Sequence, residues 1–205
     1  MKRATNTRGT ALLVIDVQND FCHGGALAVP GGDEVVAPIN ALIERFDNVV
    51  LTQDWHPRGH SSFASSHPGG TPFSTMAMPY GAQTLWPDHC VQGTPGAEFH
   101  KDLAWTKAQL VLRKGFRAAI DSYSAFFEND RATPTGLAGY LRERGIGKVV
   151  IAGLATDFCV GFSALDAARL GLETSVVMDA SRAIDLNGSL ADAENKMRAA
   201  GVTLV

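Results

Sequence analysis

The chain predicts an α/β fold in which helices cover both faces of a parallel sheet. Three observations point that way. Short apolar runs recur along the sequence, amphipathic stretches separate them, and glycines stand where the helices should stop. Residues 11–16 (Ala-Leu-Leu-Val-Ile-Asp) read as the first buried strand, and 33–46 carries helical periodicity after it. The second strand is 49–54 (Val-Val-Leu-Thr-Gln-Asp) and the third 110–114 (Leu-Val-Leu-Arg-Lys). A helix over 136–144 closes at Gly145, a residue that enters the left-handed region without steric cost and so ends helices. Residues 149–153 form the fourth strand, continuously apolar as a strand buried on both faces must be. A helix over 157–170 stops at Gly171, 174–179 is a fifth strand, 189–200 a last helix, and 202–205 adds a short closing strand.

One domain over residues 1–205 is expected, since no linker, repeat or low-complexity tract divides the chain. With 45% hydrophobic and 19% charged residues it has the composition of an ordinary globular protein. A net charge of −3 gives no electrostatic case for binding nucleic acid or an anionic membrane. Residues 1–10 hold no apolar core of signal-peptide length, and no run approaches a membrane span, so the cytoplasm is the default. Cys22, Cys90 and Cys159 are an odd, sparse set without a CxxC pair, which argues against a disulfide framework.

The stretch 54–101 interrupts the alternation. It is rich in Gly, Pro and Ser and holds five of the six histidines: His56, His60, His67, His89 and His100. A loop this long in a compact domain is usually functional.

Cys159 follows the fourth strand through Gly153-Leu-Ala-Thr-Asp-Phe, at the start of a helix. A thiol there meets unpaired N–H groups and the positive end of the helix dipole, which favour the thiolate and can hold an oxyanion. In an open parallel sheet, sites form beyond the carboxyl ends of the strands. Asp16, Asp54 and Lys114 end the first three strands, so four reactive side chains converge on one edge. A strand-ending aspartate often only caps a turn, and most lysines are solvated. Beside a thiol, however, Asp16 can serve as general base and Lys114 as the cation that stabilises developing charge. Asp54 and His56 share a face of an extended segment, and with His89 they make a set able to hold a divalent transition metal. His60 is a candidate fourth ligand. Asp20 reads as a turn residue, Cys22 and Cys90 as small buried hydrophobes, and His67 and His100 as ordinary loop residues. Phe21, Trp86, Tyr123 and Phe158 fit either the core or an apolar wall around a flat substrate.

The motifs Asp-Val-Gln-Asn-Asp-Phe-Cys-His-Gly-Gly-Ala-Leu-Ala-Val (16–29), Asp-Trp-His-Pro (54–57), Trp-Pro-Asp-His-Cys-Val-Gln-Gly-Thr-Pro-Gly-Ala-Glu-Phe (86–99), Arg-Lys-Gly (113–115) and Gly-Leu-Ala-Thr-Asp-Phe-Cys-Val (153–160) occur in order along nearly the whole chain. Together they resemble the isochorismatase-like cysteine hydrolases, and within them the nicotinamidase/pyrazinamidase branch. The resemblance implies a three-layer α/β/α fold with a six-stranded parallel sheet and a triad of Asp16, Lys114 and Cys159. It further implies oxyanion donors at the Ala155 and Cys159 amides behind a cis Leu154–Ala155 peptide. One divalent zinc, iron or manganese ion would sit on Asp54, His56 and His89, with His60 as the variable ligand. Phe21, Trp86, Tyr123, Leu154 and Phe158 would bound the substrate. Nicotinamide hydrolysis to nicotinate and ammonia, through a thioester and within NAD salvage, is the implied activity; pyrazinamide is an alternative substrate, and a homodimer stays open. Two departures stand out: Phe158 replaces the His some members carry before the nucleophile, and 115–135 follows no family pattern beyond Tyr123. Relatives that cleave N-carbamoyl amides or isochorismate generally lack the metal residues. A non-catalytic metal or redox sensor would leave Asp16 and Lys114 unexplained.

Overall fold

Every predicted strand is present in the computed structural model, which describes residues 9–205. The stretch 1–8, part of the segment read above as lacking a signal-peptide core, lies outside the described residues. In chain order the elements are β1 (Thr10–Ile15), α1 (Val36–Ile43), β2 (Val49–Asp54), β3 (Thr75–Met78), β4 (Gly81–Thr84), β5 (Leu110–Lys114), α2 (Leu137–Glu143), β6 (Lys148–Leu154), α3 (Gly161–Arg169), β7 (Glu173–Arg182), α4 (Ser189–Ala199) and β8 (Thr203–Leu204). Six strands form one parallel sheet in the order β5-β2-β1-β6-β7-β8.

That order decides where chemistry can occur. From β1 the chain builds outward through β2 and β5, then returns to lay β6 against the other side of β1. The reversal falls between β1 and β6, whose carboxyl ends diverge into opposite connections and open a crevice. Ile15 pairs with Gly153 at this edge, and Asp54 with Lys114 one strand pair away. Gly153 is obligatory: its φ is +128°, and a Cβ there would meet the Ile15 carbonyl at 2.1 Å.

Alternation along β1 divides the core. Leu12 and Val14 face a layer holding Val36, Ile39 and Ile43 of α1, whereas Ala11, Leu13 and Ile15 face Leu137, Leu141, Ala164, Ala167 and Met197 from α2, α3 and α4. Each fully buried Leu, Ile or Val contributes roughly 1.5–3 kcal/mol. The expected caps form. Gly145 and Gly171 are left-handed at φ +65° and +82°, and their amides and the next residue's close back on the last helical turn (Gly145 to Arg142, Ile146 to Leu141, Gly171 to Ala168, Leu172 to Ala167).

Three details differ from the expectation. The first helix is shorter, because Gly32–Val35 forms a 3-10 turn before it. β7 runs on to Arg182, since beyond a bulge its end pairs with Gly153 and Leu154 of β6. Within 54–101, β3 and β4 form an antiparallel hairpin that largely exposed residues such as Thr75, Ala77, Gly81 and Ala82 did not signal. Among the described residues no helix is long and apolar enough to cross a membrane.

Candidate active site

The strand ends deliver their side chains to the crevice as the topology requires. Asp16 follows β1 with a left-handed backbone (φ +48°), an uncommon conformation for a residue with a side chain, costing about 1–3 kcal/mol. Thr52 on β2 fixes it: its hydroxyl accepts the Asp16 amide at 3.1 Å and donates to Oδ1 at 2.6 Å. Lys114, at the end of β5, is wholly buried and gathers the site around its ammonium. Asp16 Oδ2 lies 2.8 Å away, Asp54 Oδ1 3.0 Å, the Ser122 carbonyl 2.9 Å and Cys159 Sγ 3.4 Å. The Asp16 contact has ion-pair distance without hydrogen-bond alignment, so Oδ2 keeps a lone pair uncommitted.

Cys159 lies not in a regular helix but in a π turn, Thr156–Val160, that leads into α3. Such wide turns favour functional positions because they redirect a side chain. Asp157 anchors this turn by accepting the amides of Ile184 and Asp185 (3.1 and 2.8 Å) and the Ser189 hydroxyl (2.5 Å). The Leu154–Ala155 peptide before it is cis.

The buried surroundings of Cys159 favour the neutral thiol, whose proton Asp16 is placed to take. Burial pushes the Cys159 thiol well above its usual range; Lys114 opposes this, but the negative charges of Asp16 and Asp54 add to it. Burial likewise disfavours charge on Lys114, yet the two aspartates outweigh it and hold the ammonium protonated well above the usual lysine range.

Asp54 joins this centre to a second one. Its Oδ2 is 3.1 Å from His56 Nε2 and 3.5 Å from His89 Nε2, and the donor atoms of the three residues lie within 4.8 Å of one another. Both imidazoles point the same nitrogen inward. His56 Nδ1 donates to the Gly115 carbonyl at 2.9 Å and His89 Nδ1 to the Pro87 carbonyl at 2.8 Å, which turns each Nε2 toward Asp54. Against burial, the Asp54 charge raises the His56 pKa, so without an ion His56 Nε2 favours carrying a proton toward that carboxylate. Two imidazoles that give up their Nε2 protons to an ion, with a carboxylate beside them, suit a divalent transition metal. The buried surroundings agree: Asp16, Asp54 and Asp121 bring three carboxyl groups around the Lys114 ammonium, acidic surroundings that suit a divalent ion in place of the His56 Nε2 proton.

His60 does not join this triangle. Its ring packs 4.3 Å from that of His56, Nδ1 meets the Ser62 hydroxyl at 2.7 Å, and Nε2 donates to the carbonyls of Arg117 (3.0 Å) and Ile120 (3.2 Å). His60 stands instead with His56 and Asp121, whose donor atoms and its own lie within 4.8 Å of one another. Burial and the neighbouring His56 lower its pKa, keeping it neutral.

Over both centres lies a small cavity walled by Phe21, Trp86, Tyr123 and Phe158, with Asp54, His89, Ala155 and Cys159 at its base. Trp86 and Phe158 meet edge to face at 4.8 Å, and Tyr123 accepts the Trp86 indole N–H at 3.0 Å. Leu154 belongs elsewhere: it is fully buried in the core layer beneath α1, because strand alternation turns it away from the crevice. Leu27, Ile184 and Asp121 complete the lining and were not anticipated. Asp121 is buried, binds Gln83 at 2.9 Å and lies 4.0 Å from His56 Nε2. Its stretch carried no pattern, so only the fold could find it.

A buried Asp–Lys–Cys centre at the switch point of a six-stranded parallel sheet defines a cysteine hydrolase of the isochorismatase type. The isochorismatase domain model matches residues 10–205, and the chain belongs to that family. It is 57% identical to a nicotinamidase of Acinetobacter baylyi over 98% of this chain and 93% of the relative. An Acinetobacter baumanii nicotinamidase/pyrazinamidase structure superposes with a TM-score of 0.97 at 55% identity, covering 98% of this chain and 97% of the other. A Pyrococcus horikoshii pyrazinamidase in complex with zinc superposes at 0.78 with 36% identity, covering 96% and 98%.

Proposed function

We propose that the protein is a nicotinamidase that hydrolyses nicotinamide, and pyrazinamide as an alternative substrate, to the ring carboxylate and ammonia. One observation carries this reading: the Asp54 carboxylate is shared between the Lys114 ammonium beside the thiol and the His56–His89 pair. A nucleophile and a metal-type donor set are thereby held a few ångströms apart under an aromatic-walled cavity. That spacing suits a small ring with a nitrogen at one end and a carboxamide at the other.

Asp16 takes the Cys159 proton as the sulfur attacks the carboxamide carbon, with Lys114 holding the negative charge nearby. The Ala155 and Cys159 amides receive the oxyanion. Asp16 returns its proton to the departing ammonia, leaving a thioester on Cys159. With the same carboxylate accepting a proton again, a water then hydrolyses the thioester and frees nicotinate and the thiol. A divalent ion on Asp54, His56 and His89, whether zinc, iron or manganese, would supply a Lewis-acidic anchor for the ring nitrogen. Phe21, Trp86, Tyr123 and Phe158 hold the ring, and the 54–101 excursion acts as the metal and substrate loop. The product, nicotinate, places the reaction in NAD salvage.

The test is ammonia release from nicotinamide by the purified protein, before and after chelation and on return of each metal. Turnover that chelation abolishes and metal restores is expected. Cys159→Ala should lose at least ~10⁴-fold in kcat while retaining metal. No ammonia with any of the three metals would overturn the assignment.

A further inference from the structure

Away from the crevice, three potential ligands from distant stretches meet over a shallow surface cavity. Cys22 follows the 3-10 turn that carries Phe21, Asp33 lies in the turn before α1, and His100 closes the 54–101 excursion. Their donor atoms all lie within 4.8 Å of one another, and His100 Nε2 is 3.5 Å from Asp33 Oδ1, close to the spacing of two ligands on one ion. The backbone fixes all three. The His100 amide donates to the Val17 carbonyl at 3.0 Å, and Gln18 bridges Phe99, which clamps His100 against the segment leading to Cys22. The Gly31–Gly32 turn packs so closely on this segment that a Cβ at Gly32 would meet the Phe21 carbonyl at 2.4 Å. Asp33 Oδ2 accepts the His23 amide at 2.7 Å, which orients the carboxylate and leaves Oδ1 turned to His100.

We propose that Cys22, Asp33 and His100 form a second transition-metal site, separate from Asp54, His56 and His89. Thiolate, imidazole and carboxylate together favour a borderline-soft divalent ion, zinc above all, over calcium or magnesium. The His23 ring, adjacent in sequence and lining the same cavity, is the fourth donor or leaves that position to water. Binding releases the Cys22 thiol proton to solvent. It also requires His100 to carry its proton on Nδ1, giving up an exposed 3.3 Å contact from the Asp102 amide to water. Occupancy would tie the loop after Phe21 to His100. Because Phe21 and Leu27 wall the substrate cavity, this tether reaches the pocket without touching the reacting atoms.

Cobalt(II) is the probe, because a thiolate ligand gives it an intense near-ultraviolet charge-transfer band that nitrogen and oxygen ligands do not. Titrating the chelated protein with cobalt(II) chloride should fill two classes of site, one bearing the thiolate band. The band should survive Cys159→Ala, vanish in Cys22→Ser, and weaken at least tenfold in apparent affinity in His100→Ala. Asp33→Ala, at an exposed position, provides a second variant should Cys22→Ser fold poorly, and it too should weaken the band. Saturation without a thiolate band, or a band lost in Cys159→Ala and kept in Cys22→Ser, would overturn the site. Neither result bears on ammonia release, so this proposal and the nicotinamidase reading fail separately.

Discussion

Asp16 and Asp54 are both buried against the Lys114 ammonium, at 2.8 and 3.0 Å, yet their surroundings drive them in opposite directions. For Asp16 burial is the dominant influence; Lys114 opposes it, but the nearby Asp54 charge adds to it, and the carboxyl ends above its usual value. Burial pushes Asp54 in the same direction. There the charges of His56 and Lys114, with hydrogen bonds from both histidines, overrule it and hold the group well below the carboxylate range. A shared cation therefore does not give two carboxylates one role. The group with a raised value can carry a proton back and forth, and the depressed one is a permanent anion. The proposed mechanism uses that difference: Asp54, on the loop side, would be ligand and charge, and Asp16, on the switch-point side, the base.

The largest expected effect separates those roles. Asp16→Asn keeps the shape, and asparagine tolerates the left-handed backbone. Its kcat should fall about 10³-fold, the scale of general acid–base catalysis, with metal content unchanged. Asp54→Asn should fail differently, losing the metal along with turnover. Metal analysis alongside single-turnover kinetics decides the matter: if Asp16→Asn also sheds the metal, the division between the two aspartates is wrong.

A second consequence lies in pH. Asp16 must be ionised to accept the thiol proton, so kcat/KM should fall on the acid side through a value above the ordinary ~4 of an aspartate. The stability effects have opposite signs. Because Asp16 is raised, its contribution is complete below ~4 and is lost as pH rises through its folded value. Because Asp54 is depressed, its contribution is present above ~4 and is lost as pH falls toward its folded value. Melting curves of the chelated protein should show Asp16→Asn gaining on the parent as pH rises from 4 to 7, and Asp54→Asn closing its gap to the parent as pH falls below ~4. Parallel trends in the two variants would refute the opposed shifts.

Much of this was legible before folding. The strands announced themselves as apolar runs ending in Asp16, Asp54 and Lys114, and parallel topology alone sends such residues to one edge. Glycines 145 and 171 marked helix ends for a local reason, the left-handed turn. What stayed hidden depends on contacts distant in sequence. The β3–β4 hairpin has too little buried surface for a period-2 pattern. Asp121 gains its place only by meeting Gln83 from that hairpin and the His56 ring. For Cys159 only half of the balance was visible: its position before a helix, which favours the thiolate, is local, whereas the burial and carboxylate charge that oppose it are not. His60 shows the same limit: its spacing suits a ligand, but only the fold shows that it lies outside the Asp54–His56–His89 triangle, beside His56 and Asp121, with Nε2 on the Arg117 and Ile120 carbonyls.

The subtlest prediction concerns Gly115, which joins the two halves of the site in one residue. It follows Lys114, so it extends the strand that carries the cation, and its carbonyl orients His56 at 2.9 Å. Its φ is +65°, and an added Cβ would meet His56 Cε1 at 2.5 Å, Nδ1 at 2.8 Å and Asp54 Oδ1 at 2.9 Å. His56 and Asp54 are packed on every side, so neither can retreat without turning its donor atom. Gly115→Ala should therefore weaken metal binding roughly 10- to 100-fold, the usual cost of disturbing the support of a metal ligand. Asp16 and Cys159 are not among the nearest neighbours of that Cβ and should keep their arrangement about Lys114. Activity should then return toward the parent value as metal is added in excess, which a titration of turnover against metal concentration reads directly. If saturating metal leaves kcat depressed, the substitution has reached the thiol centre as well, and the two halves are more tightly coupled than the shared Asp54 carboxylate implies.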